Sequence, residues 1–132
     1  MQTFLPYADF TLSLSILDLR RLGKQRVEAQ QILAAVEGKT EGWKHHPIVR
    51  AWRNHPLALE QYLRIAIEEF SRRGGNNFMV PPETKPYKHM LPGWFGDERF
   101  HSSHRAALLA KDFKYYSKFN WTEDPVIDYL WP

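Results

Sequence analysis

The sequence predicts an all-α fold, a compact single domain of about three to four main helices joined by long loops. Two long stretches repeat apolar residues at three- and four-residue steps, which is the spacing of one face of a helix. Each stretch is bounded by residues that start or stop helices. No stretch is a convincing strand. Because 132 residues suffice for one core, we expect residues 1–132 to form a single domain.

The first long helix is predicted from Asp18 to Gly38. Asp18 is a suitable N-cap, and a glycine is typical just past the end of a helix. Upstream, TLSLSIL at 11–17 alternates and could be a short strand, although we favour a helix or a loop. The apolar stripe of the long helix spans about 40° of the helical wheel. It is formed by Leu22, Ala29, Leu33 and Val36.

Two further helices are predicted in the middle of the chain. Pro47 suits the first turn of a short helix, PIVRAWRN, after the connector GWKHHP. Asn54 and Pro56 then open a longer helix that Gly74 and Gly75 stop. Its core-facing residues are predicted to be Leu59, Tyr62, Leu63, Ala66 and Phe70.

The remaining chain is predicted to contain a long loop and one more helix. Residues 74–96 include four prolines and are expected to form a surface loop. The last helix starts after Asp97 and ends near Lys111. A short segment rich in lysine and aromatic residues, FKYYSKFNW, follows before an acidic end.

Several functional classes are excluded or disfavoured by the composition. The chain has no cysteine, so disulfides, thiolate metal ligands and a cysteine nucleophile are excluded. It lacks a phosphate-binding glycine loop, a dinucleotide-binding pattern and a nucleophile elbow, so we expect no cofactor. The beginning, MQTFLPYADF, does not resemble a signal peptide, and no run approaches about 18 apolar residues. We therefore expect a cytoplasmic protein without membrane contact and, since nothing argues for a protein partner, a monomer.

The charge is unevenly distributed along the chain. The formal net charge is only +3. Residues 20–53, however, contain eight Lys and Arg against three Glu, and residues 85–118 contain seven against three Asp and Glu. Two such blocks could converge into a phosphate-binding surface. They could also be dispersed, solvated faces, and charge alone does not decide between the two.

Glu28 is the most informative single residue. It is the only acid in RRLGKQRVEAQQILAAV, residues 20–36, and it lies off the apolar stripe. It shares a polar edge with Arg21, Lys24 and Gln31 at helical spacings. An ion pair within the helix would explain it simply. On a surface that binds a polyanion, however, a carboxylate opposes binding and calls for a chemical reason.

Two further clusters are candidates for nucleic-acid contact. His101 and His104 lie three residues apart and, with Arg105, could contact phosphate, although a local hydrogen-bonded patch or a structural role is equally open. A metal site there is disfavoured, because no acidic cluster completes the ligand shell. The second cluster interleaves cations with flat rings, as a surface that grips phosphates and unstacked bases would; a strap over the core is the alternative. It consists of Lys114, Tyr115, Tyr116 and Lys118.

These features together resemble one known family. The helix with RLGKQRVEAQQIL, the GWKHHP connector, the long helix ending SRRG and the late KYYSKF are similar, over roughly residues 1–120, to the pyrimidine-dimer DNA glycosylases of the phage endonuclease V type. The chain resembles the family's bacterial branch more than the phage enzyme. It implies a compact, almost all-helical domain that uses no metal or organic cofactor. It also implies that the partner is damaged double-stranded DNA.

The resemblance implies a DNA glycosylase with AP-lyase activity, in which the terminal α-amino group attacks C1′ of the damaged nucleotide. The base is expelled, an imine forms, and β-elimination nicks the strand. On this chain, Met1 and Glu28 are the expected catalytic residues. The expected DNA-binding residues are Gln2, Thr3, Arg21, Lys24, Arg26, His101, His104, Arg105, Lys114, Tyr115, Tyr116 and Lys118.

The chemistry is physically reasonable, with one departure from the family. An α-amino group, with a pKa of about 7.7–8.0 in peptides, is more often neutral near pH 7.5 than a lysine. A carboxylate beside it can stabilise the cationic iminium and shuttle protons. Position 2 is Gln, too bulky for ordinary removal of the initiator Met, so the amine of Met1 would have to react unless trimming exposes Thr3. The alternatives are a non-catalytic nucleic-acid-binding module of this fold and an enzyme that acts on a modified nucleotide.

Overall fold

The computed structural model of the protein describes residues 1–83 and 91–132, and all regular structure in these ranges is helical. The all-α prediction is confirmed, with three long helices and three short ones in the described ranges. Residues 84–90, which belong to the predicted loop and to the second basic block, lie outside the described residues. The helices are α1 (Phe10–Ser15), α2 (Leu19–Val36), α3 (Pro47–Trp52), α4 (Pro56–Arg72), α5 (Glu98–Lys111) and α6 (Phe113–Tyr116), followed by a 3₁₀ turn at Ser117–Phe119.

The helix boundaries follow the capping residues. The Asp18 carboxylate accepts a hydrogen bond from the Arg21 backbone N–H at 3.2 Å, which starts α2 as predicted. Asp9 caps α1 in the same way by accepting from the Leu12 N–H, so the alternating stretch 11–17 forms the end of a short helix and a turn, and not a strand. At the end of α2, Gly38 has a φ of +75°, a left-handed conformation that a glycine adopts without a Cβ penalty.

The core is formed where α2 packs against α4, with α1 and α3 at the sides. The predicted stripe of α2 and the predicted face of α4 are confirmed: their residues are buried, except for Val36 and Phe70, which are partly buried against the core. Trp52 and Tyr62 are the largest fully buried side chains. Within the described ranges, no helix is both long enough and apolar enough to cross a membrane.

The most unexpected part of the fold is the N-terminal segment, residues 1–6. It has no regular secondary structure, yet Gln2, Thr3, Phe4 and Leu5 are buried, with at most 8% of each residue exposed. A buried extended segment must find hydrogen-bond partners for its backbone outside any helix. Here the partners are side chains of α2, α4 and α5, and they determine the geometry of the site described next.

Candidate active site

A pocket of about 340 Å³ opens where the N-terminal segment, α2 and the segment 122–131 meet. This volume is within the usual range for sites that bind small molecules or parts of larger ones. Three kinds of residue line it: cations, the N-terminal residues with one carboxylate, and apolar or aromatic side chains. They are Met1, Gln2, Phe4, Arg20, Arg21, Lys24, Gln25, Glu28, Lys111, Ile127 and Tyr129.

Glu28 lies in the wall of this pocket, directly beside the start of the chain. Its Oε2 accepts a hydrogen bond from the Gln2 backbone N–H at 3.0 Å. Its Oε1 is 3.6 Å from the Lys24 Nζ, one helical turn earlier. The Glu28 side chain is only 16% exposed, whereas that of Lys24 is 75% exposed. The ion pair with Lys24 is therefore a solvated contact of small energy, and the more buried contact of Glu28 is with the N-terminal segment.

Gln25 holds the N-terminal segment against α2. Its side-chain oxygen accepts from the Phe4 N–H at 2.7 Å, and its side-chain nitrogen donates to the Gln2 carbonyl. The residue is buried and lies three positions before Glu28, so both side chains face the same segment. An amide side chain that pairs in this way replaces the two hydrogen bonds of a neighbouring strand. Gln25 thereby fixes how far residues 2–4 lie from the carboxylate.

Two histidines hold the same segment from the opposite side. The Leu5 N–H donates to the Nδ1 of His104 at 2.9 Å, and the Leu5 carbonyl accepts from the Nδ1 of His101 at 2.7 Å. The Nε2 of His101 accepts from the Gly96 N–H, which is consistent with a neutral ring protonated at Nδ1. Burial, and secondarily the proximity of His101, lowers the pKa of His104 to about 3.

Three more side chains complete the support. The Tyr62 hydroxyl donates to the Phe4 carbonyl at 2.9 Å, and the Trp52 indole N–H donates to the Thr3 hydroxyl at 3.0 Å. Arg105 donates to the Pro6 carbonyl at 2.7 Å and to Glu123 at 2.8 Å. Each residue from Gln2 to Pro6 therefore has a backbone N–H or carbonyl that is hydrogen-bonded to the side chain of another residue.

Four of the residues expected to contact DNA are buried. Thr3, His101 and His104 are at most 1% exposed, and Gln2 is 4% exposed. Most of their polar groups bond to the N-terminal segment or to its surroundings, and only Gln2 Nε2 and His104 Nε2 among them are buried without a partner in the described residues. The structure therefore favours the hydrogen-bonded patch that the sequence left open for the histidines. A phosphate could not reach these rings from solvent. The described residues also contain no cluster of three metal-ligating side chains.

The cations divide into two groups. Arg21 and Lys24, two of the expected DNA contacts, line the pocket together with Arg20 and Lys111. Arg26 does not: its guanidinium lies 4.0 Å from the centre of the Phe70 ring and donates to Asn77. Its position on α2 turns it away from the site and towards the end of α4.

The lysine and aromatic cluster is partly a structural element. Tyr116 is fully buried, and its hydroxyl donates to the Asp18 carboxylate at the start of α2. Burial would raise the pKa of Asp18, but the hydrogen bonds from Tyr116 and Arg21 offset this and lower it. Lys114 and Lys118 remain exposed, and the Lys118 ammonium lies 3.8 Å from the centre of the Tyr115 ring. The lysines are therefore accessible to DNA, whereas Tyr116 is not.

The structure brings Met1, Gln2, Arg21, Lys24 and Glu28 to one pocket. Sequence reasoning missed Gln25, which looked like an ordinary surface residue of a polar helix. It also missed Ile127 and Tyr129, because they follow a proline in an irregular segment. The only signal for Gln25 was its spacing of three residues from Glu28.

Comparison with known proteins gives one match. The family model for pyrimidine dimer DNA glycosylase matches residues 1–80 of this chain. The matched part contains the N-terminal segment, Gln25 and Glu28, and it ends before α5. No curated protein and no solved structure matches the chain.

Proposed function

The chain belongs to the pyrimidine dimer DNA glycosylase family, and we propose that it excises a damaged pyrimidine from duplex DNA through an imine on its terminal α-amino group. The family acts in DNA repair and binds damaged DNA. The observation that supports the imine mechanism is the hydrogen bond between the Glu28 carboxylate and the Gln2 N–H, inside a pocket that Met1 also lines. The Glu28 carboxylate is largely shielded from solvent and lies within hydrogen-bond distance of the second residue of the chain, where it can act on the terminal amine.

In the proposed reaction, the neutral amine attacks C1′ and the bond from C1′ to the base breaks, so the base leaves with the electron pair. Opening of the C1′–O4′ bond gives a cationic imine between the amine nitrogen and C1′. Loss of a proton from C2′ then breaks the C3′–O3′ bond, which nicks the strand, and water releases the amine. Glu28 would accept and return protons and stabilise the cation.

The surroundings of Glu28 fit this role. Arg20, Arg21 and Lys24 extend along one side of the pocket, where the phosphates flanking an extruded nucleotide would lie. The N-terminal segment is held on both sides by Gln25 and by the histidines of α5, so the amine has a fixed approach to its target. Positioning of this kind contributes a large share of catalysis, because a reacting group misplaced by about 1 Å loses much of its rate.

The experiment is borohydride trapping, which reduces the imine to a stable covalent adduct. The substrates are a duplex with an abasic site and a duplex with a cyclobutane pyrimidine dimer. We expect an adduct with the natural chain, none when the α-amino group is blocked by acetylation, and a strongly reduced yield with Glu28→Gln. Glu37→Gln is the matched control, since Glu37 caps the end of α2 and does not line the pocket. Its yield should equal that of the natural chain.

Mass spectrometry of the trapped N-terminal peptide assigns the nucleophile. We expect the adduct on the amine of Met1. If Met1 were removed, the Gln2 nitrogen would become the amine at its present 3.0 Å from Glu28, and the peptide mass would show this. An absent adduct on both substrates, with DNA still bound and binding unaffected by Glu28→Gln, would refute the proposal in favour of a non-catalytic DNA-binding module.

A further inference from the structure

The segment 122–131 covers one side of α5 without forming a helix. It is attached at three points. Glu123 accepts hydrogen bonds from Ser102 and Arg105, both at 2.8 Å. The Val126 N–H donates to the Ala106 carbonyl at 3.2 Å, and the Leu130 N–H donates to the Ser103 hydroxyl at 3.1 Å. These bonds hold the segment in one register along α5, with its far end beside the pocket.

This register places Tyr129 in the pocket wall. Its ring makes T-shaped contacts with Phe4 and His104, whose ring centroids lie 6.3 Å and 5.6 Å from its own. Both neighbours belong to the N-terminal segment or to its support. Ile127 lies two residues earlier, the spacing that puts side chains on one face of an extended chain, and it lines the pocket although 53% of it is exposed.

The Tyr129 hydroxyl is available as a donor. Among the described residues it has no hydrogen-bond partner. Burial, with a further contribution from the negative charge of Glu28, raises the pKa of Tyr129 to about 12. The hydroxyl therefore stays protonated at every pH at which the protein would work. An unbonded donor beside an open pocket is suited to a ligand.

The pocket is lined by two chemically unlike kinds of side chain. Four are cations, Arg20, Arg21, Lys24 and Lys111, and three are apolar or aromatic, Phe4, Ile127 and Tyr129. A purely anionic ligand would not use the apolar side chains, and a purely apolar ligand would be opposed by the cations. A nucleotide has both parts, since its phosphates are anionic and its base has a flat apolar face with polar edges.

We propose that Tyr129, supported by Ile127, contacts the base of the damaged nucleotide and so determines which base is excised. This inference rests on the proposed function, because it assigns the base to the same pocket. Tyr129 then acts in base excision and not in the strand cleavage that follows, since the bond from C1′ to the base is already broken by that stage. The family match ends at residue 80, so this specificity contact lies outside the matched part of the chain.

The test compares a duplex that carries the damaged base with a duplex that lacks it. One contains a cyclobutane dimer and the other an abasic site, and both adduct formation and equilibrium binding are measured. Stacking on an aromatic ring contributes a substantial share of the free energy with which a protein binds a single unpaired base. We expect Tyr129→Leu to lower adduct formation and affinity for the dimer duplex by roughly ten-fold or more. The abasic duplex should change less than about two-fold. Tyr129→Phe keeps the ring and loses the hydroxyl donor, so its loss on the dimer duplex should be smaller than that of Tyr129→Leu but measurable.

Two further variants keep the result interpretable. Ile127→Ala alters a half-exposed side chain that the fold does not need, and we expect the same selective loss at a smaller size. Tyr7→Leu is the matched control, because Tyr7 packs on Trp121 away from the pocket, and it should lower neither activity. Thermal unfolding of each variant shows whether it is folded.

The outcomes separate the two proposals. Equal losses on both duplexes for Tyr129→Leu and Ile127→Ala, or no loss on either, would overturn the base contact. If the natural chain formed no adduct on either duplex, the imine mechanism would fail. The binding ratio between the duplexes would then still decide the base contact, because it does not depend on chemistry.

Discussion

His104 gives a quantitative prediction about how the site is held. Its ring is completely buried and accepts from the Leu5 N–H at Nδ1, so a second proton could bind only by displacing that bond. Burial, then the nearby His101, lowers its pKa to about 3, whereas an unfolded histidine titrates near 6.5. Between these values the unfolded chain binds a proton that the folded chain excludes. The contribution of His104 to stability is therefore complete above pH 6.5 and is lost as the pH falls towards 3.

The size of the loss in stability follows from the difference between the folded and unfolded pKa values of His104. Each pH unit between them costs about 1.4 kcal/mol, so lowering the pH from 7.0 to 4.5 should remove about 2 to 3 kcal/mol through His104 alone. The assay is urea unfolding at both pH values for the natural chain and for His104→Asn. An asparagine oxygen can accept from Leu5 in place of Nδ1 but does not titrate in this range. Other titrating groups, such as Glu123 and Asp18, are common to both proteins and cancel in the comparison.

The refuting result is equally specific. If both proteins lose the same free energy of unfolding between pH 7.0 and 4.5, His104 is not held neutral by burial. An NMR titration that shows its ring protonating near pH 6.5 in the folded protein would lead to the same conclusion. In either case, the hydrogen bond to Leu5 would not be what keeps the N-terminal segment in place.

Three other predictions concern single contacts. A Cβ on Gly75 would lie 2.4 Å from the Phe70 ring, so Gly75→Ala should lower the free energy of unfolding in urea by about 1 to 3 kcal/mol, with partial recovery when Phe70→Leu is added. Asp18→Ala should cost about 2 kcal/mol in the same assay, because α2 loses its cap and the Tyr116 hydroxyl loses its partner; an unchanged unfolding midpoint would contradict this. Lys24→Gln should reduce the slope of log affinity for undamaged duplex against log salt by about 1, measured by fluorescence anisotropy.

Local patterns were enough to predict the long helices. The stripes of α2 and α4 and the caps at Asp18 and Asp97 depend on neighbours within one or two turns, which a sequence displays directly. Glu28 was found for a similar reason, since a lone acid among cations is visible without a structure. The fold class, and Glu28 with its neighbours Arg21 and Lys24 in the pocket wall, were therefore within reach.

The features that the sequence did not reveal depend on contacts between residues far apart in the chain. The sequence left phosphate contact, a local hydrogen-bonded patch and a structural role open for His101, His104 and Arg105. It could not decide among them, because their partners are backbone groups nearly one hundred residues away. Periodicity carries no information about such distant pairs. The burial of residues 2–5 was equally hidden, because an extended segment that pairs with side chains has neither the helical nor the strand pattern.

The residues that form the site and the residues that hold them come from different parts of the chain. The N-terminal segment and Glu28 lie within residues 1–80, the part that matches the family model, but the bonds to both backbone groups of Leu5 come from α5. Without α5, the Leu5 N–H and carbonyl would be buried without partners or would pull the segment out into solvent. The groups proposed to react thus belong to the first part of the chain, and the second part holds the segment in place. A substitution in α5 that never meets DNA should therefore lower turnover as effectively as one in the pocket, with DNA binding retained.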